Sequence, residues 1–259
     1  GSYNTGTGYA SLSVLTTGAF NVSSGYIAGN GITTGSNNVA LGAHSLSSTI
    51  TSSDNTAVGF CALKTNTAAN NTAVGRSALE VNTTGTLNNA IGNFALCKNT
   101  SGGCNTAMGY RSLASNTTAS FNTGFGMDTL TANTTGTRNV AVGYTSLLAN
   151  TTATDQVAIG HQALDTATTG SENTGVGKSA LATSTTGATN VAVGAYALCK
   201  TTTSCCNVAV GYQAGMCNTT GCRNVYIGYQ AGYLATTPEG NTFVGRHAGC
   251  NAGTGNSNH

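Results

Sequence analysis

The stretch Asn139-Val140-Ala141-Val142-Gly143 decides the fold, because the same five-residue word returns along the whole chain at one spacing. Its last glycine recurs at Gly8, Gly25, Gly42, Gly59, Gly75, Gly92, Gly109, Gly126, Gly143, Gly160, Gly177, Gly194, Gly211, Gly228 and Gly245. Every step is 17 residues except the 16 from Gly59 to Gly75. A period held this strictly marks a solenoid, in which each repeat is one coil stacked on its neighbours.

With each repeat numbered from its glycine as zero, the other positions acquire meanings. Minus four is Asn in every copy but one, where Gln156 stands, and minus one is apolar from Leu41 to Val244. Plus three is always small, and plus four is Leu from Leu46 to Leu198, then Gly at Gly215, Gly232 and Gly249. If the word is extended, minus three and minus one point to one side and minus four and minus two to the other. It therefore reads as a short strand. The Ala-Leu pair at plus three and plus four predicts a second extended stretch after a bend at the glycine. Asn82-Thr83-Thr84-Gly85 and its equivalents then read as turn chemistry. Two short strands and two turns in 17 residues predict an all-β chain: a parallel β-roll, or β-solenoid, of about fifteen coils spanning residues 1–259 as one array.

Stacking at about 4.8 Å places equivalent residues above one another and predicts a rod on the order of 70 Å long. An inward ladder is expected from Asn38, Asn55, Asn71, Asn88, Asn105, Asn122, Asn139, Asn173, Asn190, Asn207, Asn224 and Asn241. Leucine and valine ladders are expected to form a thin core. Two or three aliphatic side chains per coil are few for the backbone entropy lost, so lateral association into a trimer or filament is expected.

Charged residues make up 6% of the chain, against roughly 25% in ordinary soluble domains. The net charge of +2 is spread without clusters, which argues against capture of nucleic acid or lipid headgroups. No apolar run approaches the roughly 18 residues of a membrane span. Both ends fall within a repeat, so the chain is expected to be a segment of a longer fibre protein.

Asn38-Val39-Ala40-Leu41-Gly42, Asn190-Val191-Ala192-Val193-Gly194 and Asn207-Val208-Ala209-Val210-Gly211 resemble the N-S-V-A-I-G word of the YadA-like head repeat in trimeric autotransporter adhesins. The fuller pattern, N-T-A-V-G-Y-x-A-L-x-x-N-T-T-G, is similar to the longer repeats of phage tail-fibre and related adhesin-like proteins. The resemblance covers essentially the whole chain and implies a left-handed parallel β-roll, three chains around one axis, carrying an attachment device outward. The adhesin repeat is shorter, and nine cysteines depart from that family's pattern.

Cys97 with Cys104 and Cys199 with Cys206 occupy plus five of one repeat and minus five of the next. Cys217 and Cys222 flank the equivalent turn one residue further in. Such pairs suggest disulfides that clip the turn and an extracellular or virion setting. In a second scheme Cys205 and Cys222, which share one phase in consecutive coils, bond to each other. Structural zinc competes for the Cys199 to Cys222 cluster, although its spacings match no familiar finger.

Gly175-Val176-Gly177-Lys178-Ser179 resembles the end of a phosphate loop, but Glu172 stands where the first glycine is required. His44, His161 and His247 fall near the glycine corner with no carboxylate-and-nucleophile grouping, and Asp155, Asp165 and His161 lie on different parts of one coil. No catalytic or cofactor-binding constellation is read from the chain. Asn82, Asn99, Asn116, Asn133, Asn150 and Asn218 begin Asn-x-Thr/Ser triplets that turn formation explains without glycans.

The expected function is a non-enzymatic structural and adhesive fibre shaft on a phage tail fibre or microbial cell surface. It would associate with itself and present an attachment tip to a host-surface glycan or protein. The alternative is an ice-binding solenoid, because Thr recurs at plus eight and plus nine, as in Thr117-Thr118, Thr134-Thr135 and Thr151-Thr152.

Overall fold

A computed structural model of the chain describes residues 1–48 and 50–252. The chain divides into two compact units, Gly1–Asp128 and Thr129–His259, and is all-β. The first unit carries β1 (Thr5–Thr7), β2 (Val22–Ser24), β3 (Val39–Leu41), β4 (Thr56–Val58), β5 (Thr72–Val74), β6 (Asn89–Ile91), β7 (Thr106–Met108) and β8 (Thr123–Phe125). The second carries β9 (Val140–Val142), β10 (Val157–Ile159), β11 (Thr174–Val176), β12 (Val191–Val193), β13 (Val208–Val210), β14 (Val225–Ile227) and β15 (Thr242–Val244). In each unit every strand pairs in parallel with the next one in sequence, equivalent positions side by side, as in Val191↔Val208 and Val193↔Val210. This is the β-solenoid expected from the 17-residue period.

The 16-residue step leaves this register intact: Thr56 pairs with Thr72 and Val58 with Val74. The missing residue comes from the exposed bend after plus seven. Asn66 bonds the carbonyl two residues on, at Ala68, where Asn82 bonds the one three residues on, at Gly85.

Among the described residues each coil holds one strand, not the expected two. The Ala-Leu pair lies in a run of left-handed turns, with positive φ at plus two and plus four; the leucines from Leu46 to Leu198 have φ between 44° and 54°. An extended pair would point one side chain in and one out. The left-handed leucine instead turns inward beside its neighbour, so that Ala95 and Leu96 are both fully buried. A left-handed non-glycine residue costs about 1–2 kcal/mol, and burying a leucine returns about 1.5–3 kcal/mol. The marker glycine is required for a different reason. It has φ of 117° to 140°, and a Cβ on Gly92 would lie 2.4 Å from the Gly109 carbonyl oxygen in the next coil.

The core also departs from expectation. Alternation buries minus two, so Ala141, Ala158, Ala192 and Ala209 are fully enclosed with the leucines. It turns minus three and minus one outward: Val142 is half-buried, and Ile159, Val193 and Val210 are exposed. The valine ladder therefore lies on the outer face of the sheet.

The predicted asparagine ladder is inside, buried at every position from Asn38 to Asn241. Asn105 shows its wiring. The backbone N–H and Nδ2 both donate to Asn88 Oδ1 at 3.1 Å, and Nδ2 also donates to the Ala119 carbonyl at 2.9 Å. Gln156 keeps the row continuous, accepting from the Asn173 N–H at 3.2 Å and donating to the Gly170 carbonyl.

A second asparagine row runs at plus seven. Asn82, Asn99 and Asn116 are fully buried; Asn99 donates to Asn82 Oδ1 at 2.8 Å and Asn116 to Asn99 Oδ1 at 2.8 Å. From plus seven to minus four burial has a three-residue period, as at Asn116, Ala119 and Asn122 with outward residues between. The two asparagine rows and the alanine or glycine between them line one inner wall of the coil.

Candidate functional site

The surface with functional potential is the outer face of the sheet together with the corner that follows it. Outward columns at minus three and minus one present Thr, Val and Ile, and Phe125, Ile159, Val193, Val210, Ile227 and Val244 are exposed. Beyond the glycine, plus one and plus two carry aromatic residues in register. In the first unit Tyr9 stacks on Tyr26 with centroids 5.3 Å apart; Tyr26, His44 and Phe60 continue edge to face, and Phe94 meets Tyr110. In the second unit Tyr144 stacks on His161 at 5.5 Å, and Tyr196, Tyr212, Tyr229 and His247 form a run. Each ring lies one coil from the next, so sequence phase alone aligns them.

Cations join this corner. The Arg76 guanidinium sits 5.5 Å from the Phe94 ring centre and the Arg246 guanidinium 5.8 Å from that of Tyr229. The Lys178 ammonium sits 5.4 Å from the Tyr196 ring centre, and its pKa is raised, first by a hydrogen bond with the Tyr196 phenol. Lys178 thus belongs to a surface column. The phosphate-loop lookalike is strand β11 with its corner, and Gly175 faces the Leu164 side chain.

The threonine columns divide. Plus-eight hydroxyls donate to the plus-eight carbonyl one coil on, as from Thr134 to Thr151 at 3.1 Å and from Thr185 to Thr202 at 3.2 Å. Plus-nine threonines such as Thr118, Thr135 and Thr152 are exposed. The Asn-x-Thr/Ser asparagines Asn82, Asn99, Asn116, Asn133, Asn150 and Asn218 are fully buried, so the folded coil closes them to glycosylation.

All nine cysteines are free thiols. The clips Cys97–Cys104, Cys199–Cys206 and Cys217–Cys222 are not formed. Cys97 Sγ donates to the Ala114 carbonyl at 3.4 Å, and Cys104 is exposed. The clip reading assumed a turn whose two arms face each other. The chain between plus five and minus five instead runs along the coil wall with its three-residue burial period. Stacking does bring Cys205 and Cys222 together, with sulfurs 3.1 Å apart. Among the described residues no group of three or more His, Cys, Asp or Glu is arranged to hold a metal ion, and no helix is long and apolar enough to cross a membrane.

Exposed ion pairs link neighbouring coils: Arg138 with Asp155 at 2.6 Å, and Arg223 with Glu239. The Arg138 guanidinium holds the Asp155 carboxyl below its ordinary pKa through a hydrogen bond. Asp165 differs. Burial raises its pKa, and its Oδ1 is enclosed with no hydrogen-bond partner.

Sequence reading missed the plus-seven asparagine row and the aromatic corner. The repeated Asn in N-T-T-G carried the first signal, and the second lay in Tyr, Phe or His at plus one and plus two. Comparison with protein-family profiles, with curated protein sequences and with solved structures finds no match.

Proposed function

We propose that this chain is a non-enzymatic structural and adhesive shaft of an extracellular fibre, carried on a phage tail fibre or a microbial cell surface. One observation carries the reading: the outer face of each unit's sheet leaves columns of β-branched residues uncovered, coil after coil. A face of that kind, built at one repeat, is suited to lateral packing against further copies, as in the trimer implied by the YadA-like words. Packing there would bury the second side of every strand and stabilise a coil whose own interior is mostly alanine and asparagine. The aromatic and cationic corner then remains for contact with a host-surface glycan or protein.

Sedimentation of the full chain tests this. A trimer or larger assembly is expected at micromolar concentration, and Val142→Lys with Val193→Lys and Val210→Lys should release single chains that keep their β-sheet circular dichroism. A well-folded wild-type monomer would defeat the reading.

A further inference from the structure

Cys205, Cys206 and Cys222 line one surface pocket of about 510 Å³, together with Arg223 and Glu239. Cys205 and Cys222 both stand six residues before a marker glycine, in consecutive coils. Parallel backbone bonds hold the two coils together there: the Arg223 N–H donates to the Cys205 carbonyl at 3.1 Å. Neighbouring strands lie about 4.8 Å apart, within the range of about 4.4–6.8 Å between Cα atoms that a disulfide spans. The sulfurs are already 3.1 Å apart, and the Cys205 N–H donates to Cys222 Sγ at 3.1 Å, which turns that sulfur toward its partner.

Cys206 is adjacent in sequence but belongs to a different column. Its counterpart in the preceding coil is Thr189, whose hydroxyl contacts Cys206 Sγ at 3.3 Å, and in the following coil Arg223. Phase therefore selects one pair from the three thiols.

We infer that Cys205 and Cys222 are a thiol–disulfide site: under oxidising conditions they bond to each other and staple two consecutive coils, in preference to any clip within a coil. The co-reactant is a low-molecular-weight disulfide, RS–SR. The Cys222 thiolate attacks one sulfur of RS–SR, forming Cys222–S–SR and expelling RS⁻. Cys205 then loses its proton to water and attacks Cys222 Sγ, forming the protein disulfide and expelling the second RS⁻. Two thiols are oxidised and one small disulfide is reduced to two thiols.

The order of steps follows from the surroundings. The hydrogen bond to Cys222, with burial, pushes the Cys205 pKa up to about 12, so Cys205 begins as the protonated donor. That bond is lost once Cys222 carries the mixed disulfide, which frees Cys205 for the second attack. Cys206 has a lowered pKa, chiefly through the Thr189 hydroxyl, and remains an exposed thiol beside the staple.

The test uses the full chain treated with oxidised glutathione, alkylated, and cleaved at methionine. Cleavage at Met216 separates Cys199, Cys205 and Cys206 from Cys217, Cys222 and Cys250. The two fragments should stay joined until reduced, while the uncleaved chain keeps single-chain mobility. Cys205→Ser and Cys222→Ser should each abolish the link; Cys206→Ser, Cys199→Ser and Cys217→Ser should each preserve it. Oxidation should also raise the melting temperature of the wild type and of Cys206→Ser but not of Cys222→Ser. Fragments that separate without reductant, or that stay joined in Cys205→Ser or Cys222→Ser, would overturn the proposal.

Discussion

The ring of Tyr226 occupies the space that side chains at Gly215 and Gly232 would fill: a Cβ on Gly232 would lie 2.3 Å from Tyr226 Cδ1, and one on Gly215 2.6 Å from Cδ2. Elsewhere the same space holds leucine at plus four against alanine at minus two. In the last coils the volumes trade places, with Tyr226 and Phe243 at minus two and glycine at plus four. Interiors are packed densely enough that such exchanges must be made together.

Gly232→Leu should therefore destabilise the chain by about 3 kcal/mol, near the upper end of overpacking costs. The left-handed backbone is not the obstacle, because leucine adopts it in eleven other coils at this position. Adding Tyr226→Ala and Gly215→Leu removes the Tyr226 ring and refills its other side as in the earlier coils, and should recover part of the loss, with Phe243 still bordering position 232. Thermal or denaturant unfolding of the single and combined variants measures the coupling.

A second exchange links Gln156 with Ala167 in one coil. The asparagine row at plus seven stops at Asn150, whose Oδ1 is buried without a partner, because Ala167 at the next position has no amide to donate. Gln156 is longer than the asparagine it replaces and reaches the Gly170 carbonyl. Gln156→Asn with Ala167→Asn should restore both rows and raise stability by about 1 kcal/mol, the usual net value of a buried hydrogen bond. Ala167→Asn alone should gain less, because glutamine is retained beside it. Denaturant midpoints of the two variants decide the point.

Removing a link should cost more than adding one gains. Asn99→Ala would leave Asn82 Oδ1 without its 2.8 Å donor, Asn116 with one acceptor fewer, and the Gly102 carbonyl short of one donor. Unsatisfied buried groups cost about 1–3 kcal/mol each, so a loss of at least about 2 kcal/mol is expected in denaturant unfolding.

These cases show what the sequence made legible. The period, parallel stacking and inward Asn38-to-Asn241 row followed from the spacing of one word. Strict alternation within Asn139–Val142 also foretold which residues share a side, yet the expected valine core placed the side opposite the inward asparagines inside as well. The structure puts Asn139 and Ala141 inside and leaves Val140 and Val142 half-buried. Leu147 was recognised as core, yet its left-handed φ of 51° was not foreseeable from residue preference, which disfavours it. Asn116 was misread because Asn in N-T-T-G carries turn chemistry as readily as ladder chemistry. Cys97 and Cys104 looked paired by symmetry about a turn, whereas contacts in this fold are made between coils at equal phase.

Asp165 gives a prediction in pH. Burial raises its folded pKa above the unfolded value, so between the two values the folded state binds the proton that the unfolded state has released. Stability should fall as pH rises from the ordinary carboxylate value through the raised one, and the full penalty persists at neutral pH. Asp165→Asn should abolish that fall and melt higher than wild type at pH 7, with little difference below the ordinary carboxylate range. Melting curves across pH 3 to 8 test it; a wild type that is more stable at pH 7 than Asp165→Asn would contradict the sign.

The threonine columns bear on the ice-binding alternative. An ice surface needs hydroxyls in a regular array facing solvent, and the paired columns at plus eight and plus nine suggested one. The plus-eight hydroxyls of Thr134, Thr151 and Thr168 instead donate to the carbonyls of Thr151, Thr168 and Thr185 at 3.0 to 3.1 Å. These bonds tie coil to coil and aim the hydroxyl hydrogens along the stack. The neighbouring exposed threonines, Thr118, Thr135 and Thr152, make one column; the half-buried hydroxyl residues Ser120, Thr137 and Thr154 follow at plus eleven, and the next exposed position, minus five, varies among Phe121, Arg138, Asp155 and Glu172. One exposed and one half-buried hydroxyl column, separated by a buried position and bordered by charges and an aromatic ring, do not make a uniformly exposed lattice. The purified chain should therefore show neither thermal hysteresis nor inhibition of ice recrystallisation. Thr134→Val and Thr151→Val should instead lower the unfolding free energy, by about 0.5–1.5 kcal/mol for each lost hydrogen bond. Ice activity that is removed by Thr118→Lys, Thr135→Lys and Thr152→Lys without loss of fold would assign the exposed column a function beyond the shaft.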